Sequence, residues 1–192
     1  MSLDFLISVL ENVDNPARVN RNNTANIVLA QPELIQYLVE ITFDVDTKRS
    51  IKAAWVLEWI CTHHGIEHVA PYLTVFTNNI SNVHFDSAVR PCAKICEHIA
   101  VAYTSKSTNS IKKGLTEAAI ELLIETGFDW LLTDQKIAVK AYTMHTLYLF
   151  GLQKDWVHPE LEHLIRTKVI HESKGCKARG KKILGLIEKS KK

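Results

Sequence analysis

"FDSAVRPCAKI", residues 85–95, sets Asp86, Val89 and Arg90 on adjoining turns of a helix and follows them with small residues. Weaker versions lie on both sides. DTKRSIKAAWVLEW (46–59) and DQKIAVKAYTMHTL (134–147) align without a gap, matching Asp46 with Asp134, Lys48 with Lys136, Ile51 with Val139, Lys52 with Lys140 and Ala53 with Ala141. CKARGKKIL (176–184) offers Lys177 as a fourth, weaker copy. The basic positions 52, 90, 140 and 177 are 38, 50 and 37 residues apart, and the longest interval contains TSKSTNSIKKG. Intervals of about 40 residues, two helices each, predict a stack of helical hairpins in which each supplies a wall for its neighbour.

The rest of the chain carries helix signals throughout and no sustained period-2 alternation. Ser2 caps a first helix to about Val13, Asp14-Asn15-Pro16 starts a second to about Ala30, and Pro32 opens a third. TKRSIKAAWVLEWICTHH (47–64) is a fourth, stopped by Gly65. A fifth spans about 67–79 with Pro71 in its first turns, and a sixth runs from Asp86 through about Ala102. TSKSTNS reads as a loop passing into a short helical turn, after which Thr116 caps EAAIELLIETGFDWLL. Asp134 starts the next helix, closed by Gly151; Pro159 starts ELEHLIRTKVIH; Ser173 precedes a last basic helix. No linker divides these elements, so residues 1–192 are expected to form a single all-α domain with a basic C-terminal helix from about 174.

Composition narrows the function classes. With 46% hydrophobic and 23% charged residues, the 192-residue chain has the makeup of a folded globular protein. No apolar run approaches the ~20 residues of a membrane span, and the acids of MSLDFLISVLENVD stand where a signal peptide has a basic start. A cytoplasmic setting and no membrane contact follow as expectations. Cys61, Cys92, Cys96 and Cys176 are too few and too scattered for a disulfide framework and read as buried thiols. The net charge of +2 is uneven: residues 174–192 carry eight Lys/Arg against one Glu, net +7, which leaves −5 for the remainder. A solvated terminal helix explains such a tail, and a contact surface for phosphate or an acidic partner is the alternative.

The spaced segments resemble the second-helix pattern of HEAT repeats, Asp-x-x-Val-Arg-x-x-Ala. DSAVRPCA (86–93) is the cleanest copy and departs only in placing Cys92 before Ala93. The resemblance implies an α-α superhelix of about five hairpins, armadillo-like, in which Asp and Lys/Arg form a ladder between repeats. Such a ladder would be worth about 1 to 3 kcal/mol at Asp86. Nearly end to end, through FDVDTKRSIKAAWVLEWIC, VHFDSAVRPCAKICEHIAVAYTSK, FDWLLTDQKIAVKAYTMHTLYLFG and DWVHPEL, the chain also looks like a group of short bacterial proteins that carry the name adenylosuccinate lyase. True adenylosuccinate lyases use a mobile Gly-Ser-Ser-x-Met-Pro-x-Lys-x-Asn loop. Here no two serines are adjacent, and Met1 and Met144 precede Ser2 and His145 rather than a proline. No catalytic residue carries over from the lyases.

Other groups of residues carry weaker chemical signals. Cys92 and Cys96, one helical turn apart, and Cys61 with His63 and His64 supply soft ligands, but mid-helix cysteines lack the knuckle in which structural zinc sits. His145 beside Tyr142 and His98 beside Glu97 are the better acid/base candidates among nine histidines, and packing explains them as readily. No nucleophile elbow or Gly-rich phosphate loop occurs. The sequence therefore predicts no catalytic residue, cofactor or metal. Trp55, Tyr142, Lys52, Arg90, Lys140 and Arg179 mix aromatic and basic character within the repeat helices. On a concave face this mixture suits a protein or peptide partner, with Lys52, Arg90 and Lys140 at a polar rim. Nucleic acid, held as by the HEAT-like DNA alkylation repair glycosylases, is the alternative, with Asp86 or Asp134 beside Trp55 or Tyr142. The candidate binding or ladder set is Asp46, Lys52, Trp55, Asp86, Arg90, Asp134, Lys140, Tyr142, Lys177 and Arg179, on a monomer or weak dimer.

Overall fold

The computed structural model describes residues 2–191, and these are all-helical with no strand. The helices are α1 Leu3–Glu11, α2 Arg18–Leu29, α3 Leu34–Thr42, α4 Arg49–His63, α5 Leu73–Asn79 and α6 Asp86–Thr104. They are followed by α7 Ser110–Gly114, α8 Glu117–Leu132, α9 Ile137–Phe150, α10 Val157–Leu164, α11 Ile170–Glu172 and α12 Lys174–Ser190. None is long and apolar enough to cross a membrane among the described residues.

Local chemistry sets most of the boundaries. Ser2, Asn109, Thr116 and Ser173 each accept a hydrogen bond from the backbone N–H three residues on, which satisfies one of the orphan donors of a helix start. Gly65 ends α4 with φ of 119°, a value that side chains disfavour. The helix expected over 67–79 divides instead. Ile66–Tyr72 is a 3₁₀ segment carrying Pro71, and only Leu73–Asn79 is α-helical, because a proline inside a helix removes a donor and crowds the preceding turn. The segment expected as one helix after Pro159 contains a π-helical turn, Ile165–Val169, between α10 and α11. That widened turn packs on α12 where Gly180 presents only backbone; a methyl group there would press on Ile165 and Ile170.

Pro91 lies inside α6, five residues past its start. Its missing N–H would have bonded the carbonyl of Ser87, one turn back. Trp55 of α4 fills that vacancy by donating its indole Nε1–H to the Ser87 carbonyl at 2.9 Å. A proline that would otherwise leave an orphan acceptor therefore becomes a seat for a tryptophan from the neighbouring helix.

Packing joins α2 to α4, α4 to α6, α6 to α9 and α9 to α12, while α1, α3, α5 and α8 contact one another in that order. Buried apolar residues from Leu6 to Ile187 form one continuous cluster, with Phe76 and Phe150 among its largest members. Gly151, expected as a helix stop, has an ordinary right-handed conformation. What it provides is space: a methyl group at Gly151 would overlap the imidazole of His158, which stacks on Tyr148 at 5.4 Å and bonds the Tyr148 carbonyl at 2.8 Å. Gly151→Ala should displace that ring and lower stability by about 1 to 3 kcal/mol, measurable by urea unfolding.

Candidate functional site

The row α2, α4, α6, α9, α12 is stitched by two carboxylates. Glu58 of α4, only 2% exposed, accepts from Arg21 of α2 at 2.9 Å, from Lys94 of α6, and from the Thr62 hydroxyl one turn on at 2.9 Å. Arg21 also lies over the Trp59 ring, 4.6 Å from its centroid, and Trp59 Nε1 donates to Asn22 at 3.3 Å. Glu97 of α6 repeats the arrangement further along. It accepts from His145 Nδ1 of α9 at 2.7 Å and from Arg179 of α12 at 3.3 Å, while Arg179 Nε donates to the Ala141 carbonyl. Each carboxylate joins three helices, and Glu58, buried between Arg21 and Lys94, cannot lose one partner cheaply.

Burial alone would raise the Glu58 pKa. The hydrogen bonds and charge of Lys94, the Thr62 hydroxyl and the Arg21 charge outweigh it and hold the carboxyl below the ordinary glutamate range. The Thr62 proton is committed to Glu58, so the Thr62 oxygen accepts from His98 Nε2 at 3.1 Å, and His98 is the Nε2–H tautomer. Burial, and then the neighbouring Lys94 cation, lower the His98 pKa and keep the ring neutral.

The sequence-expected residues do not share one environment. Lys52 is half-buried and donates to the Glu11 carbonyl at the C-terminal end of α1, where a cation is favoured. Arg90 is half-buried and has no hydrogen-bond or ionic partner among the described residues. Lys140 is not at a rim: it is 3% exposed and paired with Glu172. Asp86 pairs with Lys136, at 3.3 Å and largely exposed, and so links α6 to the start of α9; neither Arg90 nor Lys140 is its partner. Asp46 and Asp134 stand exposed and cap neither α4 nor α9, because the N-cap positions fall two residues later, at Lys48 and Lys136. Tyr142 is half-buried on α9, and Lys177 is exposed on α12. The ladder thus sits deeper along the helices than the motif placed it, at 58, 94, 97, 145 and 179 rather than 52, 90, 140 and 177.

Sequence reasoning missed Glu58 and Lys94. The available signal was Glu58 itself, an acid inside the apolar run Trp55–Cys61, where only a partnered charge is tolerated. His98 and His145, weighed as acid/base candidates, both hydrogen-bond within the helix row. The four cysteines are buried and free. Burial pushes the Cys92 thiol up to about 12 and raises Cys61 and Cys96 as well, which leaves these three thiols poor nucleophiles.

Two concavities flank the row. A polar cleft of about 410 Å³ lies where α9 and α12 begin, lined by Asp134, Lys136, Lys140, Lys168, Glu172 and Cys176. An apolar groove of about 640 Å³ lies between α8 and α10, where Phe128 and Trp156 stack at 5.8 Å. No family model, curated protein or solved structure matches the chain.

Glu58→Ala would strand Arg21 and Lys94 beside a buried gap and should cost about 3 kcal/mol in urea unfolding. Asp86→Ala removes an exposed pair and should cost less than about 1 kcal/mol, below the sequence-based figure. Stability should also depend on pH in two steps. Below about pH 6.5 the unfolded chain takes up a proton that folded His98 refuses, so stability falls on acidification. A second loss follows as pH drops below the ordinary glutamate range through the lower folded pKa of Glu58, and Glu58→Gln should shrink that second step, leaving the part that Glu162 supplies.

Proposed function

We propose that this chain is a HEAT-like α-solenoid of about five hairpins and that it binds a protein or peptide, without catalysis, along the face shared by α4, α6, α9 and α12. The order of packing supports the architecture, since each of these helices contacts the next. Paired cations and carboxylates supply rigidity to this row, and a rigid surface loses little entropy when it binds.

The observation that carries the binding reading is Arg90. Arg21, Lys94, Lys140 and Arg179 are each matched to a carboxylate. Arg90, on the same helix as Lys94 and Glu97, is half-buried with no such partner. Trp55 is anchored on Ser87 of the same helix, one turn before Arg90. Tyr142 is half-buried on α9, the neighbour on the other side. Arginine, tryptophan and tyrosine are the residue types on which interface energy concentrates. A guanidinium without an internal carboxylate suits a partner that brings one, whether an Asp or Glu side chain or a chain terminus.

Peptides selected on the wild-type protein from a random library should be enriched in carboxylates and should bind Arg90→Ala at least about tenfold more weakly, the loss expected for one hydrogen bond to a charged group. Arg90→Ala should leave the melting temperature unchanged, because the fold makes no use of the guanidinium. Equal binding by Arg90→Ala, or no selection at all, would remove this reading. Release of fumarate from adenylosuccinate would replace it with the lyase reading.

A further inference from the structure

We propose that the protein associates head to tail with further copies of itself, the exposed face of α12 on one copy seating on the exposed face of α1 on the next. The proposal stands apart from the Arg90 face and rests on a match of spacing, size and sign between two helix surfaces that lie far apart in the chain.

Five lysines of α12, at 174, 177, 181, 182 and 189, are exposed and have no ionic partner among the described residues. Lys174, Lys181, Lys182 and Lys189 lie on the side opposite the buried Cys176, Gly180, Ile183 and Ile187, and Lys177 flanks that stripe. Between the lysines that side is low. Ala178 is exposed, and a methyl group built at Gly185 would meet nothing within 4 Å. Lys174, Ala178 and Lys181 occupy positions i, i+4 and i+7, so a small residue sits between two cations about 10.5 Å apart along the axis.

Helix α1 carries the complementary pattern at the same spacing. Asp4, Ser8 and Glu11 are exposed at i, i+4 and i+7, opposite the buried Leu6 and Leu10. Again a small residue separates two charges by about 10.5 Å, now of negative sign. The Glu11 carboxylate has only a long 3.9 Å contact with Arg49, while Lys52 is spent on the Glu11 carbonyl, and no partner for Asp4 occurs among the described residues. Small residues at the crossing let two helix axes approach closely, and the flanking charges then meet in pairs.

The charge of the whole chain is arranged in the same sense. Residues 1–46 hold seven Asp/Glu against two Arg, net −5; residues 47–173 are neutral; residues 174–192 are net +7. Opposite charge in the first and last segments of the chain favours a heterologous contact, in which one copy's basic surface meets the next copy's acidic one. Such a contact repeats without closing unless its rotation forms a ring. Exposed ion pairs are individually weak, so the assembly should be dilute-labile and strongly screened by salt.

Sedimentation velocity of the untagged chain should show a sedimentation coefficient that rises with concentration at about 50 mM salt, with association at least about tenfold weaker at about 500 mM. A tail variant, Lys174→Glu with Lys181→Glu, and a head variant, Asp4→Lys with Glu11→Lys, should each remain monomeric. An equimolar mixture of the two should associate again, because each then offers the other a complementary end. Only exposed side chains change, and unaltered melting curves verify folding. A wild-type chain that is monomeric at low salt overturns the proposal, as does a variant that still associates alone or a mixture of folded variants that does not. A monomer that binds duplex DNA through α12 at low salt also overturns it and gives the lysines a polyanionic partner instead.

Discussion

Helices α4, α6 and α9 have buried side chains on most of their circumference, so none can be stable without cover on more than one side. That requirement explains the order of packing. α6 lies against α4 and α9, and α9 against α6, α8 and α12. It also sets a difficulty, because apolar surfaces that match only in hydrophobicity can slide past one another. Glu58 and Glu97 remove that freedom. Glu58 reaches two cations and Glu97 a histidine and an arginine on other helices, and a slip by one turn would strand the buried Glu58 charge without a partner. Buried ion pairs add little net stability compared with well-packed apolar residues, so their contribution here is to the register of the helices.

The sequence made the helices legible wherever a short-range signal fixed them. Ser2 and Thr116 are caps read directly from residue type, and Gly65 is a stop read from its conformational freedom. It misjudged 67–79, where Pro71 was accepted as a first-turn proline although its surroundings adopt a 3₁₀ path. It could not locate the π turn at Ile165–Val169, which depends on how closely Gly180 of α12 approaches. The repeat spacing picks out α4, α6, α9 and α12, which pack in that order. It did not identify which turn of each helix faces its neighbours, and a shift of one to two turns separates Lys52 from Glu58 or Arg90 from Lys94. Periodicity within a helix gives a face; only packing between helices gives the depth along it.

Trp55 shows how one substitution in the backbone pattern reorganises a surface. Pro91 takes a donor from α6, the Ser87 carbonyl is left free, and the indole of Trp55 completes it. The tryptophan is thereby held half-exposed beside the turn that carries Arg90, with little rotational freedom left to lose on binding. An aromatic side chain fixed by its own polar atom is better suited to contact a partner than one free to collapse onto the core.

Side chains that the fold does not use are informative for the same reason. Most cations in the helix row have a structural role: Arg21, Lys94, Lys140 and Arg179 neutralise carboxylates, and Lys52 satisfies the end of α1. Arg90 and the lysines of α12 do neither, and their rotamer entropy is lowest in cost when they stay solvated. Arg90 is half-buried and meets no carboxylate of its own chain among the described residues. The α12 lysines are fully outside and crowd like charge along one face, which the fold tolerates only through solvent screening. An opposite charge arriving from another molecule relieves both conditions. The two surfaces differ in depth, so the deeper one favours a specific, well-fitted contact, and the outer one favours a contact that salt readily dissolves.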